Sequence, residues 1–163
     1  MRAALVIGGL GLVLAFANAA IVGKERALTK GTPVLLELAP VDPRSLIQGD
    51  YMQLRYRLTE QLTDSQAQWP SRGAIVVALD DAGVAGFVRR HDGRAPLGRR
   101  EHLLAYRRRD GRISVATDAF YFQEGDAGRY AGARYGELRV TPSGAGILVG
   151  LRDSARAPLG RSR

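Results

Sequence analysis

Cysteine is absent from the 163-residue chain. That excludes a disulfide framework, a thiolate nucleophile and a cysteine zinc site. Histidine occurs only as His91 and His102, too few for a histidine-rich metal centre. Lysine is equally scarce: of 24 basic side chains, only Lys24 and Lys30 are lysines. Any chemistry that needs an amine therefore has two candidates, both near the start. No phosphate-binding glycine loop, dinucleotide fingerprint or haem signature occurs, so no cofactor is expected.

Arginine is what the chain has instead, with a formal net charge of +8 and 20 glycines. A GC-rich genome would produce much of that bias. Hydrophobic residues at 45% and charged residues at 25% are ordinary for a globular protein and exclude wholesale disorder. Once the first thirty or so residues are set aside, the remaining length suits one modest domain with a single core.

Residues 3–22 contain no charge, and Asn18 is their only polar side chain. The run matches the span of about 20 apolar residues that a bilayer core requires. Ala17-Asn18-Ala19 has the small-x-small form of a signal-peptidase cleavage site. A cleaved signal, however, has an apolar region of only about 7–15 residues. We read the segment as an uncleaved anchor with a helical extension to Gly31, which caps it before Pro33. No polar stripe interrupts the run, which disfavours a buried core helix. Arg2 on one side and Lys24, Arg26 and Lys30 on the other nearly balance, so charge counting does not orient the span. A long folded domain translocates largely regardless of such charges. The expectation is a single pass through the inner (cytoplasmic) membrane, with the domain in the periplasm.

Beyond residue 31, short apolar runs alternate with turn residues. Residues 34–38 read as a strand stopped by Pro40 and Pro43. Residues 51–58 alternate polar and apolar side chains with period two, as a half-buried strand does. A polar stretch with one helical turn follows over 60–72 and carries Trp69. Residues 74–79 and 83–90 flank Asp80-Asp81-Ala82 as a hairpin. Residues 102–109 and 112–116 form a second hairpin across Asp110-Gly111, a pair suited to the positive φ angles of a two-residue turn. A strand over 119–123 and a short helix over 126–132, capped by Asp126, come next. Residues 135–140 and 146–152 close the series around Pro142-Ser143-Gly144. The fold class is mainly β: an N-terminal transmembrane helix (1–31), then a single antiparallel β-sandwich or partly open barrel with one short helix (32–152). A flexible basic tail (153–163) is expected after it.

Gly49-Asp50-Tyr51-Met52-Gln53-Leu54-Arg55-Tyr56 is the most distinctive run. It resembles, without departure, the motif that names the GDYXXLXY family of bacterial proteins. The preceding segment Pro40 to Leu46, with Asp42 and Arg44, and the blocks Phe122 to Gly125 and Ala133 to Val140 resemble further segments of that family. The resemblance runs from the anchor to about Leu151. It implies a membrane-anchored bacterial protein, in some cases associated with a multi-spanning membrane protein. It carries over no catalytic residue, substrate or cofactor.

Read as chemistry, Gly49 permits a turn closed to other residues. Asp50 accepts backbone hydrogen bonds there or pairs with an arginine such as Arg44. Tyr51 and Tyr56 face opposite sides of a regular strand, with Leu54 on the side of Tyr56. The plain reading is a turn-plus-strand folding unit; a binding surface is the sharper one. Glu124 ends a strand beside Gly125, where it caps a turn or pairs with Arg129 or Arg134. Asp42, Asp50 and Glu124 would make a hard-cation site only if the fold gathered them, and no metal is expected. Ser45 ahead of Gly-Asp, in an anchored β-domain, resembles the layout of bacterial signal peptidases. A serine hydroxyl needs a base, yet no lysine follows it and neither histidine lies in a motif. The arginines at 89–90, 99–100, 107–109 and 112 form a basic hairpin region. With Tyr106 its only aromatic, that region favours a solvated face, anionic lipid or an acidic partner over nucleic acid.

The functional expectation is a membrane-anchored, non-catalytic binding or accessory module for another membrane or envelope protein. The alternative is an envelope serine hydrolase with Ser45 near its active site. The motif set Asp42, Arg44, Gly49, Asp50, Tyr51, Leu54, Tyr56 and Glu124 are the candidate binding residues.

Overall fold

The computed structural model describes residues 2–39, 47–48, 51–63 and 69–160. Helix α1 covers Arg2–Lys30. Over residues 7–22 it is apolar on all sides and exposed: Ile7, Leu12 and Phe16 are 70–78% exposed. Over Ile7–Lys30 it is long and apolar enough to cross a membrane. A helix with no polar stripe cannot satisfy water on one face and a core on the other.

Beyond it the chain is mainly β. Strands β1 (Thr32–Glu37), β9 (Tyr135–Val140), β10 (Gly146–Arg152) and β11 (Pro158–Leu159) form one curled antiparallel sheet in that order. A second has the order β5 (Ala85–Arg90), β4 (Arg72–Leu79), β6 (Glu101–Arg109), β7 (Arg112–Val115). A short ribbon of β2 (Ile47–Gln48), β3 (Tyr51–Gln53) and β8 (Ala119–Tyr121) accompanies them. Two short helices, α2 (Arg57–Thr63) and α3 (Ala127–Tyr130), lie between strands.

Burial explains the strand sequences. Val34 and Leu36 of β1 are fully buried on one face. Leu35, on the other, is buried as well, and at the strand's edge its N–H donates to the Gly83 carbonyl of the β4–β5 turn at 2.9 Å. A strand covered on both faces reads as an unbroken apolar run rather than an alternating one. The same holds for Ile75, Val76 and Val77 of β4. The sheets are joined at their edges: Ala105 N–H donates to the Gly144 carbonyl at 2.8 Å, so the β9–β10 turn extends the free edge of β6. A single core results, running from Val34 and Leu36 through Met52, Leu54 and Tyr56 to Leu104, Leu138 and Leu151. Trp69 joins it against Tyr106, their rings 5.2 Å apart. Gly73 lies under Tyr106, whose hydroxyl and ring atoms sit 2.7–2.9 Å from where a Cβ would be.

The joint with the helix is tight. Gly31 N–H donates to the Ala27 carbonyl at 3.0 Å and ends α1. Its missing Cβ lets Arg139 of β9 approach within 3.0 Å of that position. Ala27 is buried, and α1 contacts both β9 and β10.

Three expectations need correction. The strand expected over 51–58 stops at Gln53; Tyr56 makes a lone bridge to Leu38, and α2 starts at Arg57. Period two and period four coincide at Leu58, which with Leu62 forms the buried stripe of α2. Of the flexible tail expected over 153–163, residues 153–160 turn back instead, with Leu159 paired to Leu151 and Pro158 to Arg152, and 161–163 lie outside the described residues. Asp153 holds that turn by accepting from Ala157 N–H at 2.8 Å. Asp126 stands at the start of α3 but makes no side-chain cap; its carboxylate pairs with Arg129 at 3.2 Å.

Candidate functional site

From β3 onward the motif drives alternate side chains into the core. Met52, Leu54 and Tyr56 are each at most 3% exposed, whereas Gln53 and Arg55 face out. Tyr56 is the hub. Its hydroxyl donates to the Thr117 carbonyl at 3.1 Å. Its own carbonyl accepts from Thr59 N–H at 2.9 Å and from the buried Thr59 hydroxyl at 2.8 Å, which starts α2. Its ring lies over Gly136, where a Cβ would stand 3.0 Å from Cε1. Tyr56 of the motif and Gly136 of the 133–140 block are thereby fitted to each other. Burial, and secondarily the charge of Asp118, raise the Tyr56 phenol far above the usual tyrosine value. It is a neutral structural hydroxyl.

Tyr51 behaves differently. Register places it opposite Tyr121, and the rings tilt together with centroids 5.7 Å apart. Tyr51 is half-buried, while Tyr121 is 74% exposed, more than any other large hydrophobic side chain described in the β-domain. The motif thus shows the solvent one aromatic edge, completed by β8.

Beside the motif's end lies a cleft of about 480 Å³. Gln53, Leu54 and Arg55 form one wall, and Thr59 and Glu60 of α2 another. Arg112, Ile113 and Ser114 of β7 face them, with Asp118 at the junction. Leu54 N–H donates to the Asp118 carbonyl at 2.8 Å, which fixes that junction. Partial desolvation raises the Asp118 carboxyl above the usual carboxylate range. The cleft therefore offers two guanidinium groups, two carboxylates and an apolar floor: a place for a polar side chain or small polar group.

Of the residues singled out from sequence, Asp42, Arg44, Ser45, Gly49 and Asp50 lie outside the described residues. Tyr51, Leu54 and Tyr56 come together around the core and the cleft. Glu124 does not join them: it is exposed beyond β8, and Arg129 pairs with Asp126 instead. Phe122 of the same block packs on Tyr130 of α3, ring centroids 5.4 Å apart. Among the described residues no three His, Asp or Glu side chains gather as metal ligands. Lys24 and Lys30 are on α1, and His102 sits in β6 opposite Val77. Sequence reasoning missed Asp118 and Glu60, which are ordinary turn and helix residues until the fold brings both to the lining of one cleft. Tyr121 carries a signal in the sequence, an aromatic inside an expected strand.

No curated protein and no solved structure matches the chain. The family model of the GDYXXLXY proteins matches residues 13–151, from within α1 to β10. That span takes in the motif, the Gly136 block fitted to Tyr56 and the Tyr121 strand, so the chain belongs to the GDYXXLXY family.

Proposed function

We propose that the protein is a single-pass, membrane-held binding module of the bacterial envelope. In this reading α1 anchors it in the inner membrane, and the β-domain stands in the periplasm as an accessory to another membrane protein. The observation that carries the reading is the division of labour within the motif. Leu54 and Tyr56 are absorbed by the core, whereas half-buried Tyr51 lies tilted against the exposed Tyr121 at the surface. Exposed tyrosines bring large, rigid contact area at low entropic cost and are enriched where proteins meet. The bare apolar surface of α1 supplies the reason for a membrane.

A photo-crosslinking side chain placed at position 121 in native membranes tests this. One discrete adduct with a membrane protein is expected, weakened by Tyr51→Ser, and Ser45→Ala is expected to leave it intact. No adduct from 121, combined with loss of the biological phenotype in a stably folded Ser45→Ala protein, would replace the module by a serine hydrolase.

A further inference from the structure

Pairing register puts four arginines on one face. Arg72 of β4 stands directly opposite Arg107 of β6, and Arg109 opposite Arg112 of β7. The intervening rows, Tyr106 with Val115 and Arg108 with Ile113, point the other way, toward the core. All four arginines are exposed. Like charges directly opposite across a ladder destabilise it. Arg89 is paired with Glu101 at 2.7 Å, Arg152 with Glu137 at 2.8 Å and Arg100 with Asp81 at 2.6 Å. The four on the hairpin face have no carboxylate within ion-pair distance among the described residues.

Resting on the module reading above, we propose that this face seats an extended acidic segment of the partner protein, with carboxylates at alternate positions. Arg107 and Arg109 are two residues apart on a strand, about 7 Å. Alternate side chains of an extended peptide repeat at the same distance. A guanidinium holds a carboxylate in a two-pronged, planar geometry, so the match is one of shape as well as charge. The face also runs into the cleft, which Arg112 and Ser114 line along with Glu60 and Asp118. That mixed-charge recess suits one side chain of a peptide. A planar lipid surface presents no side chain to fill that recess. Nucleic acid would call for exposed aromatics, but the hairpin's Tyr106 is only 2% exposed.

The test uses the full chain in phosphatidylcholine nanodiscs and a fluorescent peptide of alternating glutamate and threonine. Its control has the same composition with the glutamates in one block. The alternating peptide is expected to bind about tenfold more tightly than the block peptide. Each of Arg72→Gln, Arg107→Gln, Arg109→Gln and Arg112→Gln weakens it by about three- to tenfold, and all four together by about a hundredfold or more. Thermal melting is unchanged or improved, and Arg100→Gln, at an arginine already paired, has no effect. Equal affinity for the two peptides, or binding that survives the fourfold variant, overturns the proposal. So does shielding of these arginines from phenylglyoxal by phosphatidylglycerol nanodiscs without peptide, which would assign the face to lipid. The two readings fail separately: absence of the adduct at 121 with peptide recognition intact removes the module reading only. A normal adduct without peptide discrimination removes the acidic segment only.

Discussion

Replacing Tyr56 by phenylalanine isolates what the last residue of the motif contributes. The substitution keeps the ring over Gly136 and the bridge to Leu38, and deletes only the hydroxyl that donates to Thr117 at 3.1 Å. A net hydrogen bond is worth about 1 kcal/mol, and an acceptor left without its donor in a partly buried place adds to the cost, so about 1–2 kcal/mol is expected. For a domain of this size that is a fall in melting temperature of about 4–7 °C. Tyr56→Ala, which also empties the ring's place in the core, should cost about 3–5 kcal/mol. Circular-dichroism melts of the solubilised full chain read both. The alkaline limb provides a second measure. The phenol stays neutral in the folded state above its ordinary value, whereas the unfolded chain ionises it near pH 10. Folding stability attributable to Tyr56 is therefore full below that pH and is lost as pH rises past it; Tyr56→Phe removes this loss. A phenylalanine variant that melts like the parent, with an unchanged alkaline limb, would refute the hub role.

Leu54→Ala removes a side chain only 3% exposed and should cost about 2–5 kcal/mol in denaturant titration, without a change in the crosslinking pattern from position 121. Desolvation raises the Asp118 carboxyl, so its share of stability is present in acid and lost as pH rises through the raised value. Asp118→Asn should match the parent at low pH and melt higher at neutral pH. Glu101 is held below the usual carboxylate range by the Arg89 hydrogen bond first and by the Gly98 N–H second. Its share is present above the unfolded value and lost as pH falls through the lower folded one; Glu101→Gln should melt lower at neutral pH and show a shallower acid limb.

Local chemistry was legible in the sequence, and long-range placement was not. Asp110 and Gly111 take φ of 51° and 76°, the left-handed pair that their identity suggests. The hairpins across residues 80–83 and 141–145 were equally readable, because Gly83 and Gly144 carry positive φ where a turn needs it. The inward set Met52, Leu54 and Tyr56 followed from alternation alone. Leu58 deceived because it satisfies both periods; in the fold it shares a buried stripe with Leu62 on α2, which packs on β7 and β1. Nothing local announces that Gly136 must lack a side chain to admit the Tyr56 ring, or that Asp118 lines one cleft with Glu60. Both pairings are set by ladders between segments far apart in the chain. The lone Leu159 in a small, basic segment gave too little apolar signal to outweigh its composition, yet two register pairs suffice to hold it.

The most direct test of a membrane-held module is alkaline carbonate extraction of native membranes, followed by amino-terminal sequencing of the protein recovered. The account predicts that the chain stays in the membrane pellet with the residues of α1 still attached. A soluble chain beginning at Ala20 would contradict it.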